Sequence, residues 1–178
     1  MKRTPPLAAG AADALDRLRD EQRQIDELLA RCAQPEHGPP DGVMPPPSAL
    51  DRARMTSLAF TLLRVHDGLE SRLLEPALAQ AAGPTHPVLA RAATRRAAVR
   101  QAMEGVEALS PRDARHTEAR VRAMAVLMQA VRAWFDFDEN QLFGLAREMA
   151  QGGRIDLSAL DHELAARQEA LLSAGRAR

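Results

Sequence analysis

Residues 64–78 read RVHDGLESRLLEPAL, and residues 132–148 read RAWFDFDENQLFGLARE. Each segment sets a ring four residues before a carboxylate: His66 and Glu70 in the first, Phe135 and Glu139 in the second. Four residues is about one helical turn, so the members of each pair share a helix face. That face is apolar in both cases. His66 follows Leu62 by four and precedes Leu69 by three, while Phe135 follows Val131 by four and Glu139 precedes Leu142 by three. An imidazole and a carboxylate on a core face are either a hydrogen-bonded pair or two ligands of one metal ion, because neither tolerates burial alone.

Outward from these segments, the rest of the chain also reads as helix. Ala and Leu abound, aromatic residues make up 3% and Tyr is absent, a profile that favours packed helices over strands. Residues 1–9, with Pro5 and Pro6, predict a loose arm. A single domain is expected over 10–178. Leu15, Leu18, Ile25, Leu28 and Leu29 repeat at helical spacing over about 10–33. The connection 34–47 carries six prolines and two glycines, so it breaks the helix and predicts a packed crossover. A second helix is predicted from Ser48 with Met55, Leu58, Leu62, Leu69, Leu73 and Ala77 inward, ending at Gly83-Pro84. Thr85 or His86 is placed to cap a third over 87–109, with Leu89, Val99, Met103 and Val106 inward. Ser110-Pro111 is the start signal for a fourth, which runs to about Ala150 through Val121, Met124, Met128, Val131, Leu142 and Phe143. Gly152-Gly153 ends it. Residues 156–174 predict a shorter fifth helix with Ser158 and Asp161 as a capping box and Leu160, Leu164 and Leu171 on its apolar face. The fold class is therefore all-α: an up-down four-helix bundle with a short fifth C-terminal helix.

Several function classes are disfavoured by composition. The 24 basic and 24 acidic residues cancel, so no global charge recruits nucleic acid or a membrane surface. Cys32 is the only cysteine, which removes intrachain disulfides and thiolate cages, and it reads as a small buried hydrophobe. The first fifteen residues lack the apolar core of a secretory signal, and no run of about 18 apolar residues suits a membrane span. A cytoplasmic location is expected. There is no nucleophile elbow, P-loop, dinucleotide fingerprint or His-Glu-x-x-His motif, so an enzyme is not expected. His37, His86, His116 and His162 lie in connections or near helix starts and read as solvent-facing.

Each long helix places one unusual residue at a comparable step of its core face. Gln22 follows Leu18 by four on the first, and Arg96 follows Ala92 by four on the third. His66 with Glu70, and Phe135 with Glu139, occupy the other two. In this set the chain resembles the hemerythrin-like, or HHE cation-binding, family. That family carries a His on its first helix, His-x-x-x-Glu on its second, a His on its third and His-x-x-x-Glu on its fourth. Together these build a diiron site bridged by the two carboxylates, used for oxygen binding or redox sensing. The segments DEQRQIDELL (20–29), VHDGLESRLLEPAL (65–78) and ENQLFGLARE (139–148) carry the resemblance, which covers most of 10–150.

The resemblance implies a degenerate site. Gln22, Arg96 and Phe135 stand where the family has histidines, with Glu21 and Arg95 the one-residue alternatives. His66, Glu70 and Glu139 remain as vestigial metal ligands. One imidazole cannot serve a diiron centre, so the expected cofactor is none, or a single Fe, Mn or Zn ion. Arg96 is expected to face Glu70 or Glu139 as the bundle's internal positive charge. Three functions stay open. The first is a regulatory or interaction protein with an incomplete metal site, its partner a protein or a second copy of the chain. The others are a mononuclear metal binder using His66, Glu70 and Glu139, and a binder of a small apolar ligand in the bundle core.

Overall fold

The structure is a computed structural model, and it describes residues 13–33, 48–109 and 117–176. The arm 1–9, the crossover 34–47 and the Ser110-Pro111 start signal fall outside the described residues. Among the described residues everything regular is helical, with no strand. Helix α1 spans Ala14–Cys32, and α2 spans Ala49–Leu69. A π turn over Glu70–Leu74 joins α2 directly to α3, Glu75–Ala82. Helix α4 covers Pro87–Glu107, and α5 covers Thr117–Phe137. A second π turn, Asp138–Leu142, joins α5 to α6, Phe143–Gln151, and α7 spans Leu157–Arg176.

Local chemistry sets the helix ends. Asp13 caps α1 by accepting from the Leu15 and Asp16 amides, while Ser48 Oγ accepts from the Asp51 amide 3.1 Å away to start α2. Gly83, at φ 98°, turns the chain after α3, and the His86 ring then accepts from the Val88 amide at the head of α4. Gly153, at φ 68°, follows the end of α6. The cap of α7 differs from expectation. Asp156, not Ser158, accepts from the first amides, those of Ser158 and Ala159 at 2.9 and 3.0 Å. A carboxylate one residue ahead of the helix offers two acceptors, so it displaces the hydroxyl.

Helix α1 packs along α2, α4 packs along α5, and α1 also touches α5. The fifth rod docks on its own chain, as α7 lies against α1 and α2. Leu160 and Leu164 are buried there, and Arg17 pairs with Asp161 at 2.6 Å. Gly68 faces Leu171 of α7, and a Cβ there would make an ordinary van der Waals contact with Leu171 Cδ1 at 3.4 Å.

The core has two apolar clusters. One gathers Leu15, Leu18, Leu69, Leu74, Leu78, Ala92, Leu142, Phe143 and Leu164, and the other gathers Ile25, Leu29, Phe60, Leu63, Val99, Leu127, Val131 and Trp134. Between them lie, among the described residues, six buried polar ones: Glu21, Gln22, His66, Glu70, Arg96 and Asp138. On α1 they fall between Leu18 and Ile25, and on α4 between Ala92 and Val99. A polar layer thus crosses four rods at one level.

Two expected core positions are on the surface instead: Leu58 is 48% exposed and Val121 is 66% exposed. From α2 through the π turn into α3 the buried residues are Ala59, Phe60, Leu63, Val65, His66, Leu69, Glu70, Leu74 and Leu78, so of the expected line Leu69 is buried while Met55, Leu62, Leu73 and Ala77 are half-buried. Three of these buried residues, Ala59, His66 and Glu70, contribute little hydrophobic signal. The apolar residues beside them outlined the edge of the face.

Candidate metal centre

Every member of the polar layer is positioned by a neighbour on another helix. His66 is fully buried, its Nδ1 lying 2.9 Å from Glu21 Oε2 on α1. With Nδ1–H donating to that carboxylate, Nε2 is left facing inward. There it lies 3.1 Å from Glu70 Oε1 and 3.4 Å from Gln22 Nε2. Glu70, also fully buried, accepts at Oε2 from the Trp134 indole N–H, 3.0 Å away on α5. Arg96 Nη1 lies 4.0 Å from the same oxygen. Asp138 is fully buried as well and accepts at Oδ2 from the Gln22 amide at 3.0 Å.

His66, Glu70 and Asp138 each turn one ligand atom inward, and these atoms lie within 4.8 Å of one another. Asp138 Oδ1 and Glu21 Oε1 have no hydrogen-bond partner among the described residues, and Glu70 Oε1 has only the 3.1 Å contact with His66 Nε2. Buried carboxylate oxygens without donors are costly, and a shared proton or a cation is what relieves them. The electrostatics follow. Burial opposes charging of His66, but Glu70 and Glu21 outweigh it and raise the imidazole to about 9. Burial and the negative charge of Glu70 push Asp138 well above the usual carboxylate range, against the pull of Arg96 and Gln22. At neutral pH the metal-free cluster therefore holds a proton on each of these two groups.

The fourth-rod carboxylate is Asp138, and this corrects the expectation of Glu139. Glu139 is exposed and binds Arg19, 2.8 Å from Nε. Both π turns open on a cluster carboxylate, Glu70 in one and Asp138 in the other. The buried residues run His66, Glu70, Leu74, Leu78 on one rod and Trp134, Asp138, Leu142, Ala146 on the other, always in steps of four. At about 100° per residue an α-helix would carry each such step about 40° round the axis. A wider turn absorbs that drift, and π turns occur at functional sites for this kind of reason. The same spacing was the available signal for Asp138: four after Trp134 and four before Leu142, whereas Glu139 is paired with the half-buried Phe135.

Trp134 is the other residue that sequence reasoning passed over. Its ring sits 5.2 Å from that of His66, and Phe135 meets His66 edge-on at 5.5 Å. Gln22 and Arg96 are both in the layer, as expected, and Glu21 joins Gln22 rather than replacing it; Arg95 is exposed. Arg96 does not reach Glu139. It forks onto Glu75 with both terminal nitrogens and lies 2.9 Å from Asp67 at Nε, touching Glu70 only at the 4.0 Å contact. His86 and His162 are a cap and an exposed residue, while His37 and His116 fall outside the described residues. Cys32 is half-buried beside Thr56, and burial raises its thiol.

A two-metal centre does not fit these side chains. Among the described residues His66 is the only imidazole in the layer, aromatic rings fill the α5 side, and a guanidinium stands beside Glu70. A single cation does fit. Metal-bound histidines characteristically donate their other N–H to a carboxylate, as His66 does to Glu21, and metal-bound carboxylates are themselves hydrogen-bonded, as Glu70 and Asp138 are. No helix among the described residues is long and apolar enough to cross a membrane. Comparison with protein-family models, curated proteins and solved structures finds no match for this chain.

Proposed function

We propose that this chain is a hemerythrin-like up-down four-helix bundle that binds one divalent transition-metal ion through His66, Glu70 and Asp138. In this reading the ion supports a regulatory or protein-interaction role and does not carry dioxygen. The observation behind it is the inward convergence of three ligand atoms, each on a side chain already oriented by Glu21, Trp134 or Gln22. One imidazole with two carboxylates suits Mn, Fe(II) or Zn without strong discrimination. Titration of chelator-treated protein with Co2+ tests it. One ion per chain is expected in the wild type and none in His66→Ala; two ions per chain, or uptake that survives His66→Ala, contradicts it.

A metal-free reading has one observation of its own: Arg96 is buried, pinned by Glu75 and Asp67, and stands 4.0 Å from Glu70. Here the guanidinium and the two held protons balance the layer's negative charge, and Co2+ would not bind at all. A small apolar ligand has less to occupy, since Trp134 and Phe135 fill the space beside His66.

A further inference from the structure

The buried cluster has polar neighbours on two sides, and they differ in how they meet solvent. Towards α4, Arg96 closes the way: its fork is locked on Glu75, its Nε lies by Asp67, and Arg100 holds Asp67 from outside. These side chains are locked in ion pairs with one another and leave no opening on that side. Above and below, Leu18, Ile25, Leu69 and Leu142 are completely buried and present only hydrocarbon. Towards α1 and α5 the surface is indented instead. An open groove of about 750 Å³ runs between these helices, and Gln22 and Phe135 line it.

Those two residues belong to both places. Gln22 is 7% exposed, yet its amide touches Asp138 Oδ2 at 3.0 Å and His66 Nε2 at 3.4 Å. Phe135 is half-buried, with its ring edge-on to His66. The groove is thus separated from two of the three ligand residues by one amide and one ring. Its walls carry five carboxylates against three guanidiniums. Each guanidinium is already paired, Arg19 with Glu139 and Asp16, Arg23 with Asp20, and Arg132 with Asp26. The net negative wall raises the local concentration of cations.

We propose that the groove between α1 and α5 is the route by which a divalent cation reaches the buried cluster, with the Gln22 amide and the Phe135 ring as its inner door. The proposal rests on the one-ion reading of His66, Glu70 and Asp138. The door works by side-chain rotation. Swinging the amide away from Asp138 and His66 frees both for the incoming ion, and turning the Phe135 ring widens the gap beside them. Because Phe135 offers no ligand atom, it controls passage without contributing to the bound state.

Stopped-flow uptake and release of Co2+ by the full chain tests this. Phe135→Val should speed uptake and release in the same proportion and leave the affinity unchanged, whereas a general loosening of the core would speed release alone. The pair Asp20→Lys with Asp26→Lys, both on the exposed wall, should slow uptake severalfold at low salt, and high salt should erase the difference. Glu104→Lys, exposed on α4, should leave uptake as it is. Uptake that ignores the groove substitutions, or that responds to Glu104→Lys as strongly as to them, would overturn the route while the one-ion site stands. A wild-type chain that takes up no Co2+ would remove the site and the route together.

Discussion

Asp138 and Glu139 are neighbouring carboxylates with opposite surroundings. One is sealed in the core against Gln22, and the other faces solvent with Arg19. Asp138→Asn should therefore abolish metal uptake, and Glu139→Gln should leave it intact; equilibrium dialysis with Mn2+ separates them. Glu21→Gln, which weakens the acceptor behind His66, should retain the fold and lower the affinity by about 10–100-fold. Arg96→Met removes the cation from Glu75, Asp67 and Glu70 together. Losing a buried charge partner costs roughly 3–5 kcal/mol, and because Asp67 and Glu75 keep some access to water the lower end is expected from urea unfolding. Gln22, His66, Glu70 and Arg96 were legible in the sequence because a polar residue on an apolar helix stripe stands out. Trp134 was not, since an indole on a core face looks like packing until its N–H is seen to hold Glu70.

The elements that matter most are the two π turns. Their steps of four bring His66 and Glu70, and Trp134 and Asp138, to one level of the core and keep the following leucines inward. Deleting the exposed Asn140 removes the extra residue of the second π turn and restores α-helical winding. Far-UV circular dichroism should stay helical, because the apolar residues on either side keep their faces, while metal uptake should be lost as Asp138 turns from the cluster. Unchanged uptake would show that the π turn does not set the carboxylate. Helix positions were readable from Gly83, Ser48 and Gly152-Gly153, which act through local backbone and capping chemistry. The π turns were not, because periodic reading assumes 3.6 residues per turn, and that assumption pointed to Glu139 in place of Asp138.

Across the whole molecule, the polar layer ties stability to pH. Without metal, folding raises the proton affinity of His66 to about 9, above its ordinary value near 6.5, and raises that of Asp138 too. Both shifts have the same sign: the folded chain holds protons that the unfolded chain gives up. His66 thus contributes stability that is complete below about pH 6.5 and lost as pH rises through about 9. The melting temperature of chelator-treated protein should fall over that window, and His66→Gln should flatten the fall. Metal binding needs both groups deprotonated, so affinity should rise over the same range, opposing the loss. The fifth helix matters at this scale as well: Leu164→Ala, in the fully buried contact of α7 with the bundle, should cost about 3 kcal/mol by urea unfolding. The all-helical class was legible from composition and periodicity, whereas the meeting of residues from distant segments in one layer required the packed structure. Anomalous diffraction from crystals grown with Mn2+ reads the layer most directly. A single peak bonded to His66 Nε2, Glu70 and Asp138, and missing in Asp138→Asn, is expected; two peaks in the layer, or none there at saturating Mn2+, would contradict the one-ion site.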